Sequence, residues 1–165
     1  MDDITYKPIG NIRTPFKKQA GMPIQPSGAQ GVRGTVKIKK DYIGGLKDLE
    51  GFSHIILIYH LHLSQGYSLS VTPFLDDQLR GVFATRAPRR PNSIGLSIVK
   101  LNAVEGDILE IENVDIVDGT PLLDIKPYIP EFDAQTAVKT GWLAEVDEQV
   151  KQVKSDNRFN AGKKV

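Results

Sequence analysis

The chain has 165 residues, 40% hydrophobic and 25% charged, with 21 basic side chains against 20 acidic ones. That length encloses one sizeable core, and a formal net charge of +1 excludes nucleic-acid binding by overall charge while allowing a local basic patch. Cysteine is absent, so disulfides, thiolate zinc sites and cysteine nucleophiles are excluded.

The first residues, MDDITYKPIG, lack the basic and then apolar pattern of a secretory leader. Tyr6 to Arg13 reads as a strand that stops before Pro15. A long stretch rich in Gly, Pro and Gln follows, FKKQAGMPIQPSGAQGVRG, and a loop of this length inside a compact domain is functional or disordered. Gly34 to Asp41 alternates Val36 and Ile38 with Lys37 and Lys39, the pattern of a half-buried strand. IGGLKDLEGF gives a short helical turn. The strongest strand signal is Phe52 to Leu63, in which His54, Ile56, Ile58, His60 and His62 share one face and Ile55, Leu57, Tyr59, Leu61 and Leu63 the other. A strand apolar on both sides is expected to be central, with protein packed on each face. Its apolar run, IILIYHLHL, is far too short to cross a bilayer, and no membrane partner is expected.

Gly66 to Arg80 reads as irregular. Ile94 to Val104, Ile108 to Val117 and Leu122 to Ile129 read as strands, joined by the tight turns VEGDIL and DGTP. Trp142, Val146, Val150 and Val153 recur at helical spacing, predicting a helix from Thr140 to Lys154. The expected organisation is one domain over residues 1–154 and a frayed polar tail over 155–165. The fold class is mainly β: a single-domain, barrel-like mixed sheet with a few short helices and a C-terminal helix.

Several chemistries are weighed on the residues themselves. His60 and His62, two apart on a strand, have the spacing to share a metal, but no third ligand falls at a recognisable spacing, so no metal site is expected. His54 reads as a core histidine, whereas His62 at the strand end is placed to meet a ligand. Serines in PNSIGLS lack the G-x-S-x-G elbow and the strand–helix alternation of a hydrolase. GDILEIENVDIVDGT lacks turn glycines and a following helix, which rejects a Rossmann nucleotide site. GVFATRAPRRPNSIGLS holds Arg86, Arg89 and Arg90 beside Pro88 and Pro91. The prolines stiffen the backbone, and guanidinium forks suit phosphate and carboxylate groups and stack on bases. The plain alternative is a solvated basic loop.

Five segments in order, PIGNIRTPF, GMPIQ, GFSHIILIYHLH, GVFATRAPRRPNSIGLS and DGTPLLDIKPYIP, resemble the TsaA/TrmO family of S-adenosylmethionine-dependent tRNA methyltransferases. These are built on a β-barrel, and the resemblance runs from about Tyr6 to Asp133. It implies methylation of N6 of threonylcarbamoyl-adenosine beside the anticodon, S-adenosyl-L-methionine as cofactor, tRNA as partner, a cytoplasmic location and a homodimer. Cofactor contacts are implied at Pro23, Ile24, Gln25, His62, Leu63, Arg86, Leu96, Asp115, Asp118, Gly119, Thr120 and Pro121. Asp118 is the candidate proton acceptor, with an ordinary turn-capping role as its alternative. Arg89, Arg90 and Lys126 are the candidate tRNA contacts. Ile24, Ala87 and Ser93 stand where many relatives carry Arg, Ser and Pro, and the C-terminal domain of longer members is not expected here. Ile24 and that shorter length give the alternative reading of a non-catalytic cofactor- or RNA-binding module.

Overall fold

The computed structural model describes residues 3–145 and 152–159. Six of its strands close into a barrel: β1 (Gly10–Arg13), β2 (Arg33–Ile38), β3 (His54–His60), β6 (Ile94–Glu105), β7 (Ile108–Glu112) and β8 (Thr120–Pro127), in the order β1-β2-β7-β6-β3-β8. The last seam is β1 against β8, with Gly10 opposite Leu122 and Ile12 opposite Thr120. Barrel and class are as expected. Every barrel ladder is antiparallel, where a mixed sheet was expected. Between β3 and β6 lie the short strands β4 (Ser70–Val71) and β5 (Arg80–Gly81), which pair with each other inside the stretch expected to be irregular.

Alternation drives closure. Ile12, Val36, Ile38, Ile55, Leu57, Val99, Leu109, Ile111 and Leu122 point inward and are at most 2% exposed, while neighbours such as Lys37 and Glu110 face water. Closing the sheet removes its edges and fills the interior with these branched side chains. Two bulges, at Leu123 opposite β3 and Asn102 opposite β7, supply the extra bend. The β6–β7 hairpin turns on Gly106 at φ +62°.

β3 is central in its pairing, flanked by β6 and β8. Only one of its faces is covered, contrary to expectation. Ile55, Leu57 and Tyr59 are buried, His54, Ile56 and Ile58 are half-buried, and His60 is exposed. A closed barrel has one interior, so the second apolar face lies outside it. On β6 the neighbours of that outer face, Ile94, Leu96 and Ile98, are likewise exposed.

Of the predicted C-terminal helix, Gly141–Glu145 is a 3-10 turn. Val146 and Val150 lie outside the described residues, and residues 152–159 are not helical. Lys154 forms an antiparallel bridge with Pro23, and the Ser155 and Met22 backbones are joined by a 2.9 Å hydrogen bond. The tail expected to fray is docked as far as Phe159, which is 7% exposed. Its ring meets Phe74 edge-on at 5.0 Å, an apolar anchor that the polar composition of 155–165 conceals. Among the described residues no helix is long and apolar enough to cross a membrane.

Leu57 is fully buried at the barrel centre. Leu57→Ala is expected to lower stability by about 2–5 kcal/mol through lost burial and the cavity left behind, read as a fall in the urea midpoint at unchanged slope.

Candidate functional site

The basic motif is a built structure. Val82 and Ala87 are buried in a small second core with Val71 and Phe159, and a 3-10 turn, Val82–Ala84, leads into the arginines. Arg90 Nη1 donates to the carbonyls of Val82 at 3.1 Å and Thr85 at 2.8 Å. Its guanidinium also stands 5.9 Å from the centre of the Phe83 ring. Ser64 Oγ donates to the Pro88 carbonyl at 2.9 Å, and the Ser68 amide to the Arg89 carbonyl at 3.2 Å. Arg90 was expected to reach RNA. Its Nη1 is engaged with the motif's own backbone, at the Val82, Thr85 and Ala87 carbonyls. Arg89 is half-buried, with Nε shielded from water and without a hydrogen bond. Arg86 is exposed, and its Nη1 donates to Gln25 Oε1 at 2.9 Å.

That bond joins the motif to the long loop before β2, which is ordered here around Pro26–Gly28. Loop, motif, β6 and the docked tail enclose a hollow of about 360 Å³. Of the cofactor residues implied by resemblance, Pro23, Ile24, Gln25, Arg86, Leu96 and Asp115 line it. A second hollow of about 720 Å³ shares Ile24, Gln25, Arg86 and Leu96 and extends past Phe83 and Trp142. Both are of the size of small-molecule sites.

A buried relay sits in the wall of the first hollow. Ser97 Oγ donates to Asp115 Oδ1 at 2.7 Å, and the Tyr59 hydroxyl lies 2.9 Å from Ser97 Oγ. The single serine proton goes to the carboxylate, so Tyr59 donates to Ser97. Burial pushes the Asp115 carboxyl up to about 6, against the opposing pull of the Ser97 bond and Arg86. Burial, then the Asp115 charge, pushes the Tyr59 phenol up as well. Tyr59 is opposite Gly95 in the β3–β6 register, and a Cβ at Gly95 would fall 2.2 Å from the Tyr59 ring. Only glycine leaves space for the ring that carries the hydroxyl to Ser97.

His62, Leu63, Asp118, Gly119, Thr120 and Pro121 form a separate group that lines neither hollow. His62 Nδ1 is 3.3 Å from Thr120 Oγ1, and burial, then His60, lowers the imidazole, which favours its neutral form. Gly119 takes φ +79°, as the DGTP turn requires. Asp118, the expected base, accepts from Lys17 Nζ at 2.8 Å and the Thr14 amide at 3.1 Å. The Lys17 bond, then the Thr14 amide, hold its carboxyl below the usual range, which makes it a weak proton acceptor and a good turn anchor. Lys126 is paired with Asp124 at 2.8 Å on the outside of β8. Sequence reasoning missed Tyr59 and Ser97, which were counted as apolar wall and loop serine. The pairing of Tyr59 with Gly95 that brings them together depends on the β3–β6 register. Among the described residues no cluster of three or more His, Asp or Glu side chains is placed to hold a metal.

A family model described as tRNA-methyltransferase O N-terminal domain matches residues 11–134. The chain belongs to this family. A probable S-adenosyl-L-methionine-binding protein of Pyrococcus abyssi is 51% identical over 94% of this chain and 85% of its own length. A tRNA (adenine(37)-N6)-methyltransferase of Mus musculus is 42% identical over 80% of this chain but only 32% of its own length. The solved structure of TrmO from Pseudomonas aeruginosa superposes with a TM-score of 0.73 at 36% identity, over 86% of this chain and 63% of that one. The chain thus spans most of its archaeal relative and about a third of the mouse enzyme.

Removing the Arg90 guanidinium takes a donor from the Thr85 carbonyl, while the Val82 carbonyl keeps the Thr85 amide and hydroxyl. Arg90→Ala is expected to cost about 1–3 kcal/mol and to speed proteolysis within residues 82–90, both measurable without cofactor or RNA.

Proposed function

We propose that the protein transfers the methyl group of S-adenosyl-L-methionine to N6 of threonylcarbamoyl-adenosine beside the anticodon of tRNA, in the cytoplasm. The observation that carries this reading is the convergence of Gln25, Arg86, Leu96 and Asp115 on one hollow in a chain of the TrmO family. The donor set suits the cofactor. Asp115 complements cationic groups, the Arg86 fork a carboxylate, and Pro23, Ile24 and Leu96 the flat faces of a purine. When bound, the cofactor supplies an activated methyl on a sulfonium, displaced in line with a neutral thioether as leaving group. Such a step depends chiefly on alignment, with reacting atoms roughly 3–3.5 Å apart. A metal and a covalent nucleophile are not required for it.

The exposed stripe Ile94, Leu96 and Ile98, beside half-buried Ile56 and Ile58, borders both hollows. A contiguous apolar patch of this kind on a barrel wall suits a second copy of the chain, whose seating would exclude water from the hollows. Ile98→Asp is expected to convert a dimer to a monomer in sedimentation. A wild-type monomer would refute the dimer.

For RNA, the exposed Arg86 stands at both hollows, Arg90 lines the first while its Nη1 shapes the motif, and the half-buried Arg89 lies beyond them. The affinity for tRNA is expected to fall steeply between low and physiological salt, as phosphate contacts release counterions.

The deciding experiment is multiple turnover on tRNA that carries threonylcarbamoyl-adenosine, with methylated nucleosides counted by mass spectrometry. Repeated turnover by a catalytic amount of protein is expected. Cofactor binding without product would favour the passive module instead. Arg86→Ala is expected to weaken S-adenosyl-L-methionine binding about tenfold or more in calorimetry, in keeping with the loss of a charged hydrogen bond.

A further inference from the structure

Methylating a nitrogen that carries a proton requires a place for that proton. As its new bond to the methyl carbon forms and the carbon–sulfur bond breaks, the sulfur keeps the bonding pair and becomes neutral. The nitrogen must release its proton to return to neutrality. The carbamoyl-bearing N6 is a poor nucleophile, so an acceptor within reach assists the attack. Asp118 does not suit this task, being held by Lys17 and the Thr14 amide outside both hollows.

We propose that Asp115 is the proton acceptor for methyl transfer, its carboxylate aimed into the hollow by the Tyr59–Ser97 hydrogen-bond relay. This rests on the reading of the hollow as the methyl-transfer site. Asp115 follows the fully buried Val114 and precedes Ile116, which is 2% exposed, so the backbone on both sides is fixed by the barrel core. Ser97 is 1% exposed and holds Oδ1 at 2.7 Å. Tyr59 in turn fixes the Ser97 hydroxyl, and the ring of Tyr59 is seated over Gly95. Tyr59, Gly95 and Ser97 come from barrel strands, and Asp115 from the connection between β7 and β8. Such support is what keeps an acceptor in one orientation while substrate enters.

Tyr59 from β3 and Arg86 from the basic motif act on Asp115 electrostatically, and Arg90 and Asp156, the latter paired with Arg158 at 2.8 Å, also line the hollow. Burial, with Arg86 as partial counterweight, brings the carboxyl to about 6. A base at that level is charged at neutral pH yet takes up a proton more readily than an ordinary aspartate.

The test combines calorimetry with single-turnover kinetics at saturating S-adenosyl-L-methionine and threonylcarbamoyl-adenosine tRNA. Wild-type turnover comes first, because its absence defeats the reading of the site, not the assignment of the base. With an active wild type, Asp115→Asn is expected to lower the methyl-transfer rate at saturating cofactor by about 100- to 10,000-fold, beyond any loss of cofactor affinity. The wild-type rate should rise with pH through about 6, since the acceptor must be deprotonated, and the variant should lose that limb. Ser97→Ala removes the bond that favours the charged form and should move the limb to higher pH. A full rate for Asp115→Asn at saturating cofactor, with affinity lost instead, would make Asp115 a cofactor anchor and overturn the proposal. A Ser97→Ala limb that stays in place would overturn it as well, even if Asp115→Asn failed to fold.

Discussion

Closure of the sheet at the β1–β8 seam is the constraint on which everything else depends. Once Ile12 and Leu122 complete the ring, the interior is a packed core of aliphatic side chains with no room for a ligand. Small closed barrels fill their lumen in this way. Recognition is therefore displaced onto the outer wall and the long connections. The chain has the means to cover that wall: the loop before β2, the insertion between β3 and β6 that carries the arginines, and the tail that returns to Pro23.

These three segments have little regular structure, and each is held by a specific contact. Arg90 supports the motif from within through backbone carbonyls. Arg86 reaches across to Gln25, and Phe159 locks the tail against Phe74. The division of labour among the arginines follows from this. One is a structural strut, one bridges two walls of the hollow, and one is half-buried with a donor to spare. The rigidity that the two prolines suggested serves to hold a wall, and the charge serves the rim of that wall.

Strand identity and the core were legible because alternation in β2, β3 and β7 reports inward and outward faces directly. The ends of strands were less so: Tyr6 to Pro8 stand outside the ladder, while Ile9 still bonds Leu122 and Lys39. Burial of both faces of β3 was misread because apolar residues there serve two purposes, the core on one side and an exposed stripe with Ile94, Leu96 and Ile98 on the other. At the end of the predicted helix, apolar spacing cannot show that Lys154 finds a strand-like partner at Pro23. At the site, sequence motifs brought together Gln25, Arg86, Leu96 and Asp115 without any view of the hollow. They could not show that Tyr59 leans over Gly95 onto Ser97, since that depends on the β3–β6 register. Nor could they show that Asp118 is neutralised by Lys17, which lies 101 residues away in the chain.

The central claim is that the hollow on the barrel wall, outside the closed core, holds the methyl donor. The most direct measurement is a crystal structure of the protein with S-adenosylhomocysteine bound. The account predicts the ligand between Gln25, Arg86 and Leu96, with its homocysteine sulfur facing Asp115. Ligand density elsewhere on the molecule, with this hollow filled only by solvent, would contradict it.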